Sequence, residues 1–188
     1  MLARQEYTIS VREDTVMGLP NTYTNKNETG CCGVPNIEDW QDKNLTFENR
    51  HFVRLYTKSF LYMPLNMGKI MKKLDIMARE ANVTLPVEQA MTLSRDISPW
   101  KAEQLYAVSQ PVKGADNVTL NGEMLSKVFE GPYKEAGSWH KTMQQYLKGS
   151  GKELQALYFF YTTCPKCAKH YGKNYVVALA QVSNGAKG

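Results

Sequence analysis

The chain has 188 residues, 43% of them hydrophobic, and a formal net charge of +5. That is enough apolar material for a full core, in one domain or in two fused halves. The lysines are spread along the chain and no run of about 18 apolar residues occurs, which argues against a nucleic-acid partner and against a membrane-spanning helix.

In chain order, Met1 to Glu6 lacks the apolar stretch of a signal peptide, so a cytoplasmic protein is expected. The Asn-x-Thr triplets at Asn44, Asn82 and Asn117 then carry no glycan. The four cysteines are then expected as thiols, a metal site or a redox pair rather than as permanent disulfides. Tyr7 to Val11 alternates like a short strand, and glycines, Pro20 and asparagines punctuate the loop after it. Cys31-Cys32-Gly33 and a polar stretch around Trp40 follow. Residues 1–49 are expected to be an extended arm lying on the body of the protein.

Phe52 to Leu65 has strand character and ends at Pro64. Met67, Ile70, Met71, Leu74, Met77, Ala78 and Ala81 form one apolar stripe, which predicts a helix over 67–81 with Asn82 as its stop. Ala90–Ser94 and Gln104–Val112 are predicted strands on either side of a Ser98-Pro99-Trp100 turn. Val118–Gly122 and Glu123–Glu130 follow as two extended segments. Gly131-Pro132 breaks the chain, and Ala136, Trp139, Met143, Tyr146 and Leu147 recur at helical spacing. Leu154–Thr162 and Asn174–Val182 are strands separated by a loop opened by Cys164-Pro165-Lys166-Cys167. Residues 183–188 read as a disordered tail.

The order is β–α–β–β twice. An antiparallel sheet from two β-α-β-β units, with two helices packed on one face, is the expected α+β fold, with residues 50–182 as its domain.

Tyr106-Ala107-Val108 with Pro111-Val112, then Lys127-Val128-Phe129 with Gly131-Pro132-Tyr133, then a helix carrying Trp139 and Tyr146, resemble the GyrI-like small-molecule-binding family. The resemblance covers residues 50 to 182. It implies a duplicated β-α-β-β unit and a cleft between the halves that binds a lipophilic, often cationic, compound. One branch of that family hydrolyses cyclopropane-bearing toxins in an aromatic cage, and many relatives carry the label hydrolase. Binding of a lipophilic xenobiotic or metabolite is therefore the expected function, with hydrolysis of a reactive small molecule as the alternative. The expected partner is a hydrophobic small molecule, and the expected assembly a monomer or weak dimer. Two departures stand out. The last strand carries no acidic residue, whereas binders of the family present one to the cleft, and the cysteine insertion lies outside the family pattern.

Candidate ligand-binding rings are Trp100, Tyr106, Phe129, Tyr133, Trp139, Phe160 and Tyr161, since ring-lined clefts bind flat or cationic ligands. The same rings are also good core material. Glu130 and Glu135 flank Gly-Pro-Tyr. Glu135 suits the first turn of a helix, or, with Tyr133 or Tyr106 as proton donor, general acid–base work. If a carboxylate acts in the cleft, one of these two glutamates is expected to provide it. Cys164-x-x-Cys167 with His170 is half of a zinc site, which Cys31 and Cys32 can complete. It lacks the βαβ setting of a thioredoxin-type pair. It is also compatible with free thiols, made more reactive by Lys166, Lys169 and Lys173. No cofactor is expected, with zinc as the alternative. His51 and His140 have no partner at ligand spacing.

Overall fold

The computed structural model describes residues 19–148 and 150–184, with Tyr133 as backbone only. The predicted Tyr7–Val11 strand lies outside the described residues. Strand β1 (Asn44–Phe60) turns through Leu61-Tyr62 into the two-residue β2 (Met63–Pro64). Helix α1 (Met67–Glu80), β3 (Thr92–Ser98) and β4 (Lys101–Val108) complete the first unit. The second unit is β5 (Asn117–Glu130), α2 (Ala136–Lys148), β6 (Lys152–Tyr161) and β7 (Tyr175–Asn184), with a short α3 (Pro165–Tyr171) inserted before its last strand. The expected loop at Cys164–Cys167 is therefore corrected to a helix. Pro165 at its first position and left-handed Gly172 at its end bound it.

Each unit pairs its strands the same way. β4 lies between β1 and β3, and β7 lies between β5 and β6, all antiparallel. The units join twice, β1 to β5 and β3 to β6, so six strands form a closed circuit. The two joints are unequal. β1 and β5 share eight paired positions, Asn44↔Leu125 to Val53↔Asn117. β3 and β6 share two, Leu93↔Phe160 and Ser94↔Phe159, and then separate.

Side-chain parity follows the pairing. Leu45 and Phe47 point inward, and so does Phe52, although strand alternation would send it out. The irregularity between Phe47 and Arg50 restores the face, with Asn49 at φ 47° and its backbone N–H donating to Asn121 Oδ1 at 2.7 Å. Gly122 at φ 101° lies opposite this irregularity. The two extended segments expected over 118–130 are thus one strand.

The interior holds Phe52, Leu93, Leu105, Met124, Phe160 and Leu179, among others. The helices cover the outside. α1 sets Leu74 and Ala78 on Val53 and Val108. It ends in a Schellman turn: Asn82 at φ 56°, its N–H on Arg79 O, and Val83 N–H on Ala78 O. α2 sets Trp139, Met143 and Leu147 on Leu157, Phe159 and Ala178. Each such large side chain contributes roughly 1.5–3 kcal/mol on burial.

The N-terminal boundary moves. Asn44 to Asn49 belong to β1, and of the described residues before them Trp40 enters the core rather than lying along it. Trp40 is 1% exposed inside the circuit, its Nε1–H donating to Asn21 O at 3.0 Å. Tyr23 packs edge-on to Phe160. At the other end β7 runs to Asn184, two residues into the expected tail.

Candidate functional site

Beyond Leu93 and Phe160 the β3–β6 ladder ends, and Arg54 and Arg95, each about one-third exposed, surround a buried carboxylate there. Glu103 of β4 stands there, 2% exposed. Its Oε1 accepts from Arg54 Nη1 at 3.2 Å and its Oε2 from Arg95 Nε at 2.9 Å. Arg54 also holds Asp116 through Nε at 2.8 Å and Nη2 at 3.0 Å. The Asp116 bonds hold the Arg54 guanidinium well above its ordinary value, and the same bonds keep the Asp116 carboxyl below its own. Rings line the cluster. Arg95 lies 5.4 Å over Tyr158, Arg54 lies 5.7 Å over Tyr56, and Lys101 Nζ is 3.7 Å from the Tyr56 centroid. Burial pushes the Tyr158 phenol up, Arg95 opposing it. Three cations face two carboxylates, so the cluster carries one net positive charge. Behind it, on the other face of β4, Gln104 bonds Ser94 and Thr57 and fixes the strand.

The predicted rings do not converge. Phe129 and Trp139 stack at 5.6 Å, and Tyr161 reaches them through Phe159, all in the layer under α2. Trp139 is 4% exposed, packed as core. Phe160 points the other way, into the interior beside Trp40. Tyr106 lies under α1 and donates its hydroxyl to Asp75 at 3.2 Å. Trp100 is 56% exposed at the β3–β4 turn, against Phe60. The Tyr133 side chain lies outside the described residues. Phe129, Trp139 and Tyr161 thus come together, and Trp100, Tyr106 and Phe160 stand apart from them.

Neither predicted carboxylate is enclosed. Glu130 is exposed, pairs with Lys173 at 3.5 Å, and borders a shallow groove of about 260 Å³ with Ile37, Val128 and Tyr175. Glu135 is exposed just before α2, and its carboxylate closes on Gly131, where an added Cβ would lie 2.8 Å from Oε2. Among the described residues the buried carboxylate is Glu103, supplied by the last strand of the first unit and not by β7, which turns Val177 and Leu179 inward. The signal was a charged residue two places before Leu105 and four before Ala107, on their face of β4.

The four cysteines come together at the other side of Phe160. Residues 23–35 form a hairpin, with Thr24 N–H on Val34 O at 2.9 Å and Val34 N–H on Lys26 O at 2.8 Å. Gly33 is required where this hairpin closes, since a Cβ would lie 2.8 Å from Tyr23 Cβ. At its tip Thr29 Oγ1 accepts from the N–H groups of Cys31 and Cys32, both at 3.2 Å, and turns both side chains toward α3. There they meet Cys164 and Cys167, and all four Sγ atoms lie within 4.8 Å of one another. None is bonded to another; Sγ–Sγ distances are 3.4 Å for Cys164–Cys167 and 3.7 Å for Cys31–Cys32. Cys164 N–H points at Cys32 Sγ at 3.5 Å. Burial pushes the Cys32 thiol up; burial also opposes the Cys167 thiolate, but hydrogen bonds with Thr29 and Cys164 outweigh it and bring Cys167 to about 6. His170 turns away, to Glu28 at 3.1 Å. Four thiols so placed can hold a soft metal ion.

A family model described as "Bacterial hydrolase" matches residues 22–182. No curated protein matches. Among solved structures, an uncharacterized conserved protein from Listeria innocua is similar at 12% identity over 77% of this chain and 93% of its own, with a TM-score of 0.54. A hydrolase from Listeria innocua gives 12% over 76% and 92%, with a TM-score of 0.54. The C-terminal domain of EcmrR gives 14% over 76% and 95%, with a TM-score of 0.59. At these identities the solved structures show a shared α+β fold. Among the described residues no helix is long and apolar enough to cross a membrane.

Proposed function

This chain belongs to the bacterial hydrolase family, and from that premise we propose that it binds an amphipathic small molecule where the β3–β6 ladder ends, polar end on Arg95 and Lys101 and apolar body on the ring of Tyr56 and on that of Tyr158, which is buried beneath Arg95 until the ligand draws the guanidinium aside. The observation that carries this reading is Glu103. Burying a carboxylate with two guanidiniums costs more than packing apolar side chains of equal volume. The fold nevertheless keeps this cluster where the β3–β6 ladder ends, and a rigid polar group flanked by rings is what a small-molecule site needs.

The cluster's sign selects the ligand. With one net positive charge and no acid on β7, it favours a lipophilic ligand bearing a carboxylate or another acceptor over a cationic one. Hydrolysis in the same cleft is the second reading, supported by the family's description. It requires a carboxylate able to take a proton from water. Both oxygens of Glu103 are held by arginine, so turnover, of a cyclopropane-bearing compound or another reactive one, needs the substrate to draw Arg95 away first.

Thermal-shift and calorimetric titration with matched lipophilic carboxylates and ammonium compounds tests the reading. Carboxylates are expected to raise Tm, and Arg95→Gln, at a one-third exposed side chain, to remove the effect with the fold intact. A preference for ammonium compounds, or binding unchanged in Arg95→Gln, overturns it. A bound compound recovered intact after prolonged incubation removes the hydrolase reading and leaves the binding one.

A further inference from the structure

We propose that Cys31, Cys32, Cys164 and Cys167 bind one Zn²⁺ ion in a closed tetrahedral site, and that this ion clamps the N-terminal hairpin across the joint between the two halves. This goes beyond the ligand reading and stands or falls without it.

The geometry is that of a tetrathiolate. With Zn–S of about 2.3 Å, a tetrahedron has sulfur–sulfur edges of about 3.8 Å. The edges seen within each pair, 3.4 and 3.7 Å, sit near that value, and the whole set lies within 4.8 Å. The pairs are 132 positions apart in sequence, measured from Cys32 to Cys164. Thr29 and the hairpin bring one pair, and the turn into α3 brings the other. The Cys164 N–H aimed at Cys32 Sγ is the outer bond that steadies a metal thiolate. An all-sulfur set selects a soft ion over Mg²⁺ or Ca²⁺, and four protein ligands make the site structural rather than catalytic.

The clamp has a place to act. Thr22 donates from both N–H and hydroxyl to Glu88 O, in the segment leading into β3. Next to it, Tyr23 OH donates to Thr162 O, just after β6, at 2.8 Å. Residues 22 and 23 therefore span the short β3–β6 joint. The metal fixes the other end of their hairpin to the chain that leaves β6. The joint is stapled at this end and carries no ladder pairing at the Arg95–Tyr158 end.

Metal content of the protein, purified under reducing conditions, is the test. About one equivalent of zinc is expected, falling below about half an equivalent in Cys31→Ser and in Cys164→Ser. Apo-protein refilled with Co²⁺ should show the thiolate charge-transfer band and the visible envelope of a tetrahedral sulfur site. Hydrogen exchange then reads the clamp. Chelation should speed exchange at Thr22, Leu93 and Ser94 by about tenfold or more, while β1–β5 amides keep their protection. Zinc absent from the wild-type protein and not taken up on addition overturns the site. So do disulfides within the set by non-reducing mass, or iron in place of zinc. A zinc-loaded protein whose joint is unmoved by chelation overturns the clamp. The wild-type measurements decide the case even if a serine variant fails to fold.

Discussion

Glu103 is the residue on which the open end of the sheet depends. Removing one partner of a buried ion pair leaves the others uncompensated, at a typical cost of about 3–5 kcal/mol. Here Arg54 keeps Asp116 and Arg95 is partly exposed, so Glu103→Gln is expected to cost about 2–3 kcal/mol, just below that range. Asp116→Asn breaks an exposed pair of the same arginine and should cost less than about 1 kcal/mol. Urea midpoints of the two variants separate burial from mere proximity, and equal losses would contradict the account. One position decided how this was read from sequence. The strand predicted over 104–112 starts one residue after Glu103, whereas the observed β4 begins at Lys101. The mismatch with Leu105 and Ala107 on the same face is a parity signal, but it becomes visible only when the strand's start is right.

At the scale of elements, the helices with an apolar stripe were legible and the one without was not. α1 and α2 repeat apolar residues at helical spacing, and both appear within about two residues of their predicted ends. α3 has seven residues, mostly polar, and buries Cys167, so periodicity could not reveal it. The segments 118–122 and 123–130 read as two in the sequence, whereas β5 runs unbroken through Gly122, which sits opposite a bulge. Trp139 belongs to the apolar stripe of α2 and is packed as core. Stacked on Phe129 and sealed by Phe159, it anchors α2, and Trp139→Ala should cost about 3–5 kcal/mol in denaturant titration. A ligand-lining tryptophan would lose binding with little stability. The next residue gives α2 a pH response. Burial holds His140 below its ordinary value of 6.5, with Asp96 of β3 pulling the other way. The unfolded chain therefore takes the proton first as pH falls, and stability drops from about pH 6.5 down to the lowered folded value. His140→Gln should flatten that part of the curve of midpoint against pH, and an unchanged slope would assign it to other groups.

For the whole molecule the decisive feature is the inequality of the two joints, and no local pattern could have shown it. The β-α-β-β repeat is visible in the sequence because it is built from neighbours, whereas pairing β1 with β5 and β3 with β6 depends on register between distant strands. Eight paired positions on one side and two on the other make the circuit a clasp, hinged along β1–β5 and closing at β3–β6. Past Ser94 and Phe159 the facing strand edges carry no mutual ladder bonds, and Arg95 over Tyr158 is the contact that bridges them. A joint so short should open locally well before the protein unfolds. Amide exchange in the paired stretch Leu93–Ser94 and Phe159–Phe160 is therefore expected to be at least about tenfold faster than at Val53 or Leu125. That ratio corresponds to roughly 1.4 kcal/mol less opening free energy. A ligand seated between Tyr56 and Tyr158 bears on both halves, so a saturating carboxylate ligand should slow exchange at β3–β6 and leave β1–β5 unchanged. Equal protection at the two joints would remove the clasp. Slowing that appears under α2, around Phe129 and Tyr161, and not at β3–β6 would move the ligand to the outer ring cluster.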